Sequence, residues 1–289
     1  MKRVLFASIA LALALTASAG DAKIVFLAGP PSHGPGDHEH RAGCLLLKGC
    51  LDKVPGVSSE VYSNGWPQNP EAAFAGAATV VIYSDGGGGH PFLHDERLKT
   101  VGALMTKGVG LVCLHYAVEP TKEAGEKEFL DWIGGCFETD WSVNPTWHPE
   151  FKPLPKHAIT RGVKAFSTPD EWYFHMRFRD GMKGVTPILS AVAPESTMDR
   201  SDGPHEGNPA VREAVKRGEP QIVAWACEHP DGGRGFGFTG GHYHRNWGND
   251  DVRKLVLNAI LWSAKVKVPA TGVESKVTVE DLKLNLDPK

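Results

Sequence analysis

The chain has 289 residues, with 31 Lys and Arg against 34 Asp and Glu, a formal net charge of -3, and 13 histidines. This near-neutral balance, with no basic run long enough to track a phosphate backbone, argues against nucleic acid and leaves a small molecule as the natural partner. The length suits one domain with a sizeable core.

Residues 1–19, MKRVLFASIALALALTASA, combine a basic start, an apolar run and a small-residue ending. They read as a signal peptide cut after Ala19. The apolar run is too short to span a bilayer and no Cys follows it to take a lipid, so a periplasmic or secreted protein with no stable membrane anchor is expected. The domain is then expected over residues 20–268, with 269–289 as a loosely attached C-terminal extension.

KIVFLAG (23–29), SSEVYS (58–63), TVVIYSD (79–85) and VGLVCLH (109–115) read as strands. Residues 40–54 and 94–108 between them carry apolar positions at helical spacing. Such alternation predicts an α/β fold, a mostly parallel sheet flanked by helices. From Cys136 to Phe178 the chain turns rich in Pro and aromatics, with short strands expected at 148–152 and 171–178 as an extension of the same sheet. Strands at 186–193, 221–229 and 233–241 follow, the last feeding a helix at 250–266. Cys44 and Cys50 share a predicted helix about 9 Å apart, too far to bridge, and no disulfide framework is expected.

In an open α/β sheet, ligands bind beyond the carboxyl ends of the strands. The first strand runs into GPPSHGPGDHEH, carrying His33, His38 and His40; the third ends at Asp85, followed by four glycines, His90 and His94; the fourth ends at His115; the last ends near His242 and His244. Eight of the 13 histidines thus fall at one predicted edge of the sheet. Gly86 and Gly87 are candidates for close backbone approach to a ligand, with free N–H groups.

SHGPGDHEH, GLVCLHYA, HAITRGVKAFSTPDEWY and GRGFGFTGGHYHRNW together resemble the ThuA-like proteins, associated with utilisation of trehalose and related sugars. The resemblance spans residues 23–265. It implies a single domain with the flavodoxin-like fold of class I glutamine amidotransferases, in which a catalytic Cys stands on the elbow after a central strand and a His follows a later strand. His242 matches that histidine. The elbow position holds His115, and Cys113 lies two residues earlier inside the strand, so the resemblance does not carry glutamine hydrolysis with it.

His115, His242, Asp85 and Glu171 are accordingly the candidate acid–base groups. Gly86, Gly87, Tyr116, Tyr173 and Trp247 are candidates for holding substrate. Together they suit hydrolysis of, or elimination on, a disaccharide or glycoside, including a 3-keto form; the alternative is a carbohydrate-binding protein without turnover. His33, His38 and His40 offer neutral nitrogen ligands for Zn, Mn or Co, with Asp85 or His242 completing the shell, or equally a sugar-binding loop. No nucleotide cofactor is evident.

Overall fold

The computed structural model describes residues 21–289, so the expected signal peptide lies outside the described residues. The first half of the chain is β1 (Ala22–Ala28), α1 (His40–Leu51), β2 (Val57–Tyr62), α2 (Pro70–Phe74), β3 (Ala77–Tyr83), α3 (Arg97–Thr106), β4 (Gly110–Leu114) and α4 (Glu126–Trp132). An insert follows, with β5 (Gly135–Cys136), β6 (Glu150–Phe151), β7 (Phe166–Ser167) and β8 (Arg177–Phe178). The chain closes with β9 (Val185–Val192), α5 (Pro209–Lys216), β10 (Pro220–Glu228), β11 (Arg234–Phe238) and α6 (Asp250–Ser263).

Seven strands form one sheet in the order β2-β1-β3-β4-β11-β10-β9. The pairings make six strands parallel and leave only β10 running against them. Both faces are covered, which is why the central strands read as continuous apolar runs instead of alternating ones. Ile24, Phe26, Val81, Val112 and Phe236 face a core shared with Leu47 of α1 and Val256 and Ile260 of α6. Val25, Leu27, Val80, Ile82 and Leu111 face a second core closed by Val101 and Leu104 of α3 and Phe129 and Trp132 of α4.

The insert does not extend this sheet, contrary to the expectation from sequence. It makes two separate ladders of two strands each, β5 with β8 and β6 with β7. Its aromatics supply both cores instead, Trp147, Phe151, Trp172 and Phe174 to one and Phe137 and Tyr173 to the other. The tail, expected to be loose, is packed down. The Asn258 side chain accepts a hydrogen bond from the Val273 N–H at 2.8 Å, and the fully buried Arg253 donates to Ser275 Oγ at 2.8 Å and to the Ser275 carbonyl at 3.1 Å. All five cysteines are buried and unbridged.

Candidate functional site

Four adjacent strands end in a common row. Ala28 pairs with Tyr83, Tyr83 with Leu114 and Leu114 with Phe238. Neighbouring strands lie about 4.8 Å apart, so the loops that leave this row begin side by side. They deliver His38 after β1, Asp85 after β3, His115 after β4 and His242 after β11. Glu171, from the insert, joins them: its Oε2 lies 3.0 Å from His242 Nδ1 and 3.6 Å from His115 Nε2.

His115 occupies a left-handed backbone conformation (φ 55°) immediately after β4, a rare geometry for a side chain of its size and one that concentrates at functional turns. Its Nδ1–H donates to the Thr239 carbonyl at 2.8 Å, which leaves a lone pair on Nε2. His38, also at positive φ, donates from Nδ1 to Asp85 Oδ1 at 2.7 Å. Asp85 takes a further hydrogen bond from Ser32 at 2.9 Å. Burial opposes ionisation of Asp85, but the hydrogen bond from His38 and the charges around it prevail and hold its pKa at about 2. A carboxylate in that state only accepts, so His38 too presents a bare Nε2. The two Nε2 atoms face each other at 3.0 Å, and His242 Nδ1 lies 3.1 Å from that of His38.

The electrostatics divide the three imidazoles. Burial, reinforced by neighbouring histidines, lowers His38 to about 4 and His115 well below the ordinary imidazole value. Burial also acts against the charged form of His242, but the hydrogen bond and charge of Glu171, with Asp37 and Asp170, outweigh it and raise the pKa. Tyr173 adds a hydroxyl 3.2 Å from His115 Nε2, and the half-buried Tyr116 ring stands edge-on to His38 at 6.0 Å.

Several expected site residues take other roles. Gly86 makes close approach possible, but to the chain itself: a Cβ there would lie 2.2 Å from the Tyr116 carbonyl. The Gly87 N–H, expected to be free, donates to the Glu119 carbonyl at 2.9 Å. Trp247 offers no stacking face; it is buried against Tyr83 and Phe238 within the core. The expected ligand trio forms only in part: His33 and His38 group with Asp85, without His40. His40 donates through Nδ1 to the Pro30 carbonyl at 3.1 Å, with its buried Nε2 3.7 Å from Asp85 Oδ1, and His33 lies exposed on the outer side of Asp85, 3.8 Å from Oδ1. The donors that converge are His38, His115, His242 and Glu171, all mutually within 4.8 Å; a second group joins His33 to His38 and Asp85.

Two further residues were not singled out in the sequence. Asp170 is buried and gathers the turn that carries His242, accepting from the backbone N–H of Gly241 at 2.7 Å and of His242 at 3.1 Å and from Asn246 Nδ2 at 2.9 Å. It stands beside Glu171 in the STPDEWY motif, which was the available signal. Glu119, also buried, holds His205 at 2.8 Å; no local pattern links these two positions.

A site of this kind can take a proton on a neutral imidazole, hold a carboxylate beside it, or ligate an ion. Elsewhere, a hollow of about 710 Å³ bordered by Pro70, Phe74, Leu104 and Val109 lies by the starts of β3 and β4, at the opposite edge of the sheet, and is lined by no histidine.

A family model described as trehalose utilisation, ThuA, matches residues 61–263. A ThuA-like protein of Bacteroides uniformis is similar in structure, with a TM-score of 0.57 at 14% identity, over 86% of this chain and 94% of that one. Another from Parabacteroides merdae has a TM-score of 0.55 at 14% identity, over 90% of this chain and 94% of that one. A glutamine amidotransferase of Thermotoga maritima aligns at 7% identity with a TM-score of 0.45, over 86% of this chain and 100% of that one. No curated protein matches the sequence.

Proposed function

This chain belongs to the ThuA family of trehalose utilisation, and from that premise we propose that it is an exported enzyme that hydrolyses, or eliminates on, a disaccharide or glycoside, including a 3-keto form. The observation that carries the reading is the pair of buried imidazoles, His38 and His115, whose tautomers are locked by Asp85 and the Thr239 carbonyl so that both Nε2 lone pairs meet 3.0 Å apart. Neutral imidazole can accept a proton from a sugar hydroxyl or from the acidic C–H beside a keto group. Glu171 and His242, the part-exposed members of the cluster, are the ones an arriving sugar would meet first.

A cysteine nucleophile does not suit this chain. Cys113 lies in the second core, fully buried, where burial drives its thiol pKa far up. The export part of this reading rests on the signal-peptide pattern of residues 1–19.

The test is incubation of the purified protein with a panel of disaccharides and their 3-keto derivatives. We expect turnover that falls by about a hundredfold or more in His115→Ala and in His242→Ala, the contribution of a positioned acid or base, while Cys113→Ala retains it. Tight sugar binding with no product would show a binding protein instead; loss of activity in Cys113→Ala alone would restore a thiol mechanism.

A further inference from the structure

We propose that His38, His115, His242 and Glu171 form a mononuclear centre for a divalent transition-metal ion of the zinc type. The inference concerns ion binding itself, and an ion here would occupy the same Nε2 lone pairs of His38 and His115 that the sugar reading uses as bases, so metal occupancy and turnover by the metal-free protein distinguish the two.

The spacing is the first argument. His38 Nε2 lies 3.0 Å from His115 Nε2 and 3.1 Å from His242 Nδ1, and Glu171 Oε2 lies 3.0 Å from His242 Nδ1 and 3.6 Å from His115 Nε2. Four donors arranged tetrahedrally around an ion at the usual 2.0–2.1 Å stand about 3.4 Å apart; these four separations bracket that value, and all six lie within 4.8 Å.

The second argument is the pattern of protons. Because Nδ1 of His38 and Nδ1 of His115 are both spent as donors, to a carboxylate and to a backbone carbonyl, the facing Nε2 atoms carry no hydrogen between them. Two lone pairs at 3.0 Å repel unless a positive centre lies between or beside them. The Tyr173 hydroxyl, 3.2 Å away, reaches only His115 Nε2, and a proton on His242 Nδ1 would reach only His38 Nε2, at 3.1 Å and in competition with Glu171 at 3.0 Å. A cation serves His38, His115 and His242 together.

The third argument is support from behind. Metal-bound histidines commonly donate their second ring N–H to a carboxylate or a backbone carbonyl, which fixes the ring and strengthens the ligand. Asp85 does this for His38 and the Thr239 carbonyl for His115; Asp37 stands 3.7 Å from the outer nitrogen of His242. Imidazoles with one carboxylate favour zinc and neighbouring first-row metals over magnesium or calcium, which take mostly oxygen. His38 and His115 are buried while His242 and Glu171 are part-exposed, so the ion would sit at the inner end of the site with one side open.

The full-length mature protein, freed of metal with a chelator and dialysed, is titrated with Zn(II) and, separately, with Co(II). We expect one ion per chain by elemental analysis, a rise in melting temperature on adding Zn(II), and visible absorption of four- or five-coordinate geometry with Co(II). His242→Gln and Glu171→Gln, both at part-exposed positions, should each weaken binding about tenfold or more, with circular dichroism reporting that each variant is folded. His33→Ala, which removes a ring stacked on His38 at 3.6 Å but none of the four donors, should weaken binding far less than either. Absence of stoichiometric binding by the folded parent would overturn the proposal. So would loss of binding in His33→Ala with retention in His242→Gln, which would move the ion to the outer His33, His38 and Asp85 group.

Discussion

Asp170 shows how a single side chain sets the position of another that does the chemistry. It is buried, and burial raises its pKa, opposed by the hydrogen bonds it accepts from the Gly241 N–H, from Asn246 and from neighbouring backbone. Removing an acceptor of this kind leaves several buried donors unpaired together. Asp170→Ala should therefore lower unfolding free energy by about 3 kcal/mol or more, read by urea denaturation; a change within experimental error would mean that the turn at 241–243 holds itself. In the sequence, Asp170 and Glu171 are adjacent acids with nothing to rank them. Their division of labour depends on donors at 241–246, some 70 positions away. His115 was readable because a strand end is a local feature. Trp247 and Gly86 were misjudged because an aromatic or a glycine suits a core as well as a ligand site, and only the neighbours decide.

Among the elements, the central strands and the helices α1, α3 and α6 were visible as apolar runs and helical spacings, within a few residues of their observed ends. The short helices α2, α4 and α5 were not, since five to eight residues give too few turns for a period to show. Asn208 capping Val211 with Pro209 at the first turn of α5 was the overlooked start signal. The tail carries a prediction. Arg253 is fully buried and relies on Ser275 for two of its hydrogen bonds, and the buried Glu39, next to His38, accepts from the Asp287 N–H at 2.7 Å and pairs with Lys289 at 3.4 Å. A chain truncated after Pro269 would leave Arg253 with only Trp247 and Asp250 and Glu39 with only the Gly36 N–H, and would open both to water, at a cost of about 3 kcal/mol or more. Truncation that leaves the urea midpoint unchanged would show the tail to be an ornament. The reach of this tail was not visible beforehand, since its sequence is polar and without period.

For the whole molecule, the buried neutral histidines make stability depend on acid. His90 is fully buried, accepts from the Phe92 N–H at 3.1 Å and donates to the Ala117 carbonyl at 3.2 Å, and burial above all lowers its pKa from 6.5 to about 4. Between those values the unfolded chain binds the proton and the folded one does not, so this contribution is complete above pH 6.5 and is lost as pH falls toward 4. It amounts to about 3 kcal/mol over the window. Unfolding free energy should thus fall steeply from pH 6.5 to 4, and His90→Gln should flatten the slope by about one proton; an unchanged slope in that variant would refute the assignment. The sequence by itself determined the class of fold and the edge at which chemistry gathers, because strand and helix periods and the residues at strand ends are local properties of the chain. Which donors meet was decided by tertiary structure alone. The contacts of His38 with His115 and His242 join residues 77 and 204 positions apart, and they exist only because four strands end in one register row and the insert folds back to bring Glu171 over it.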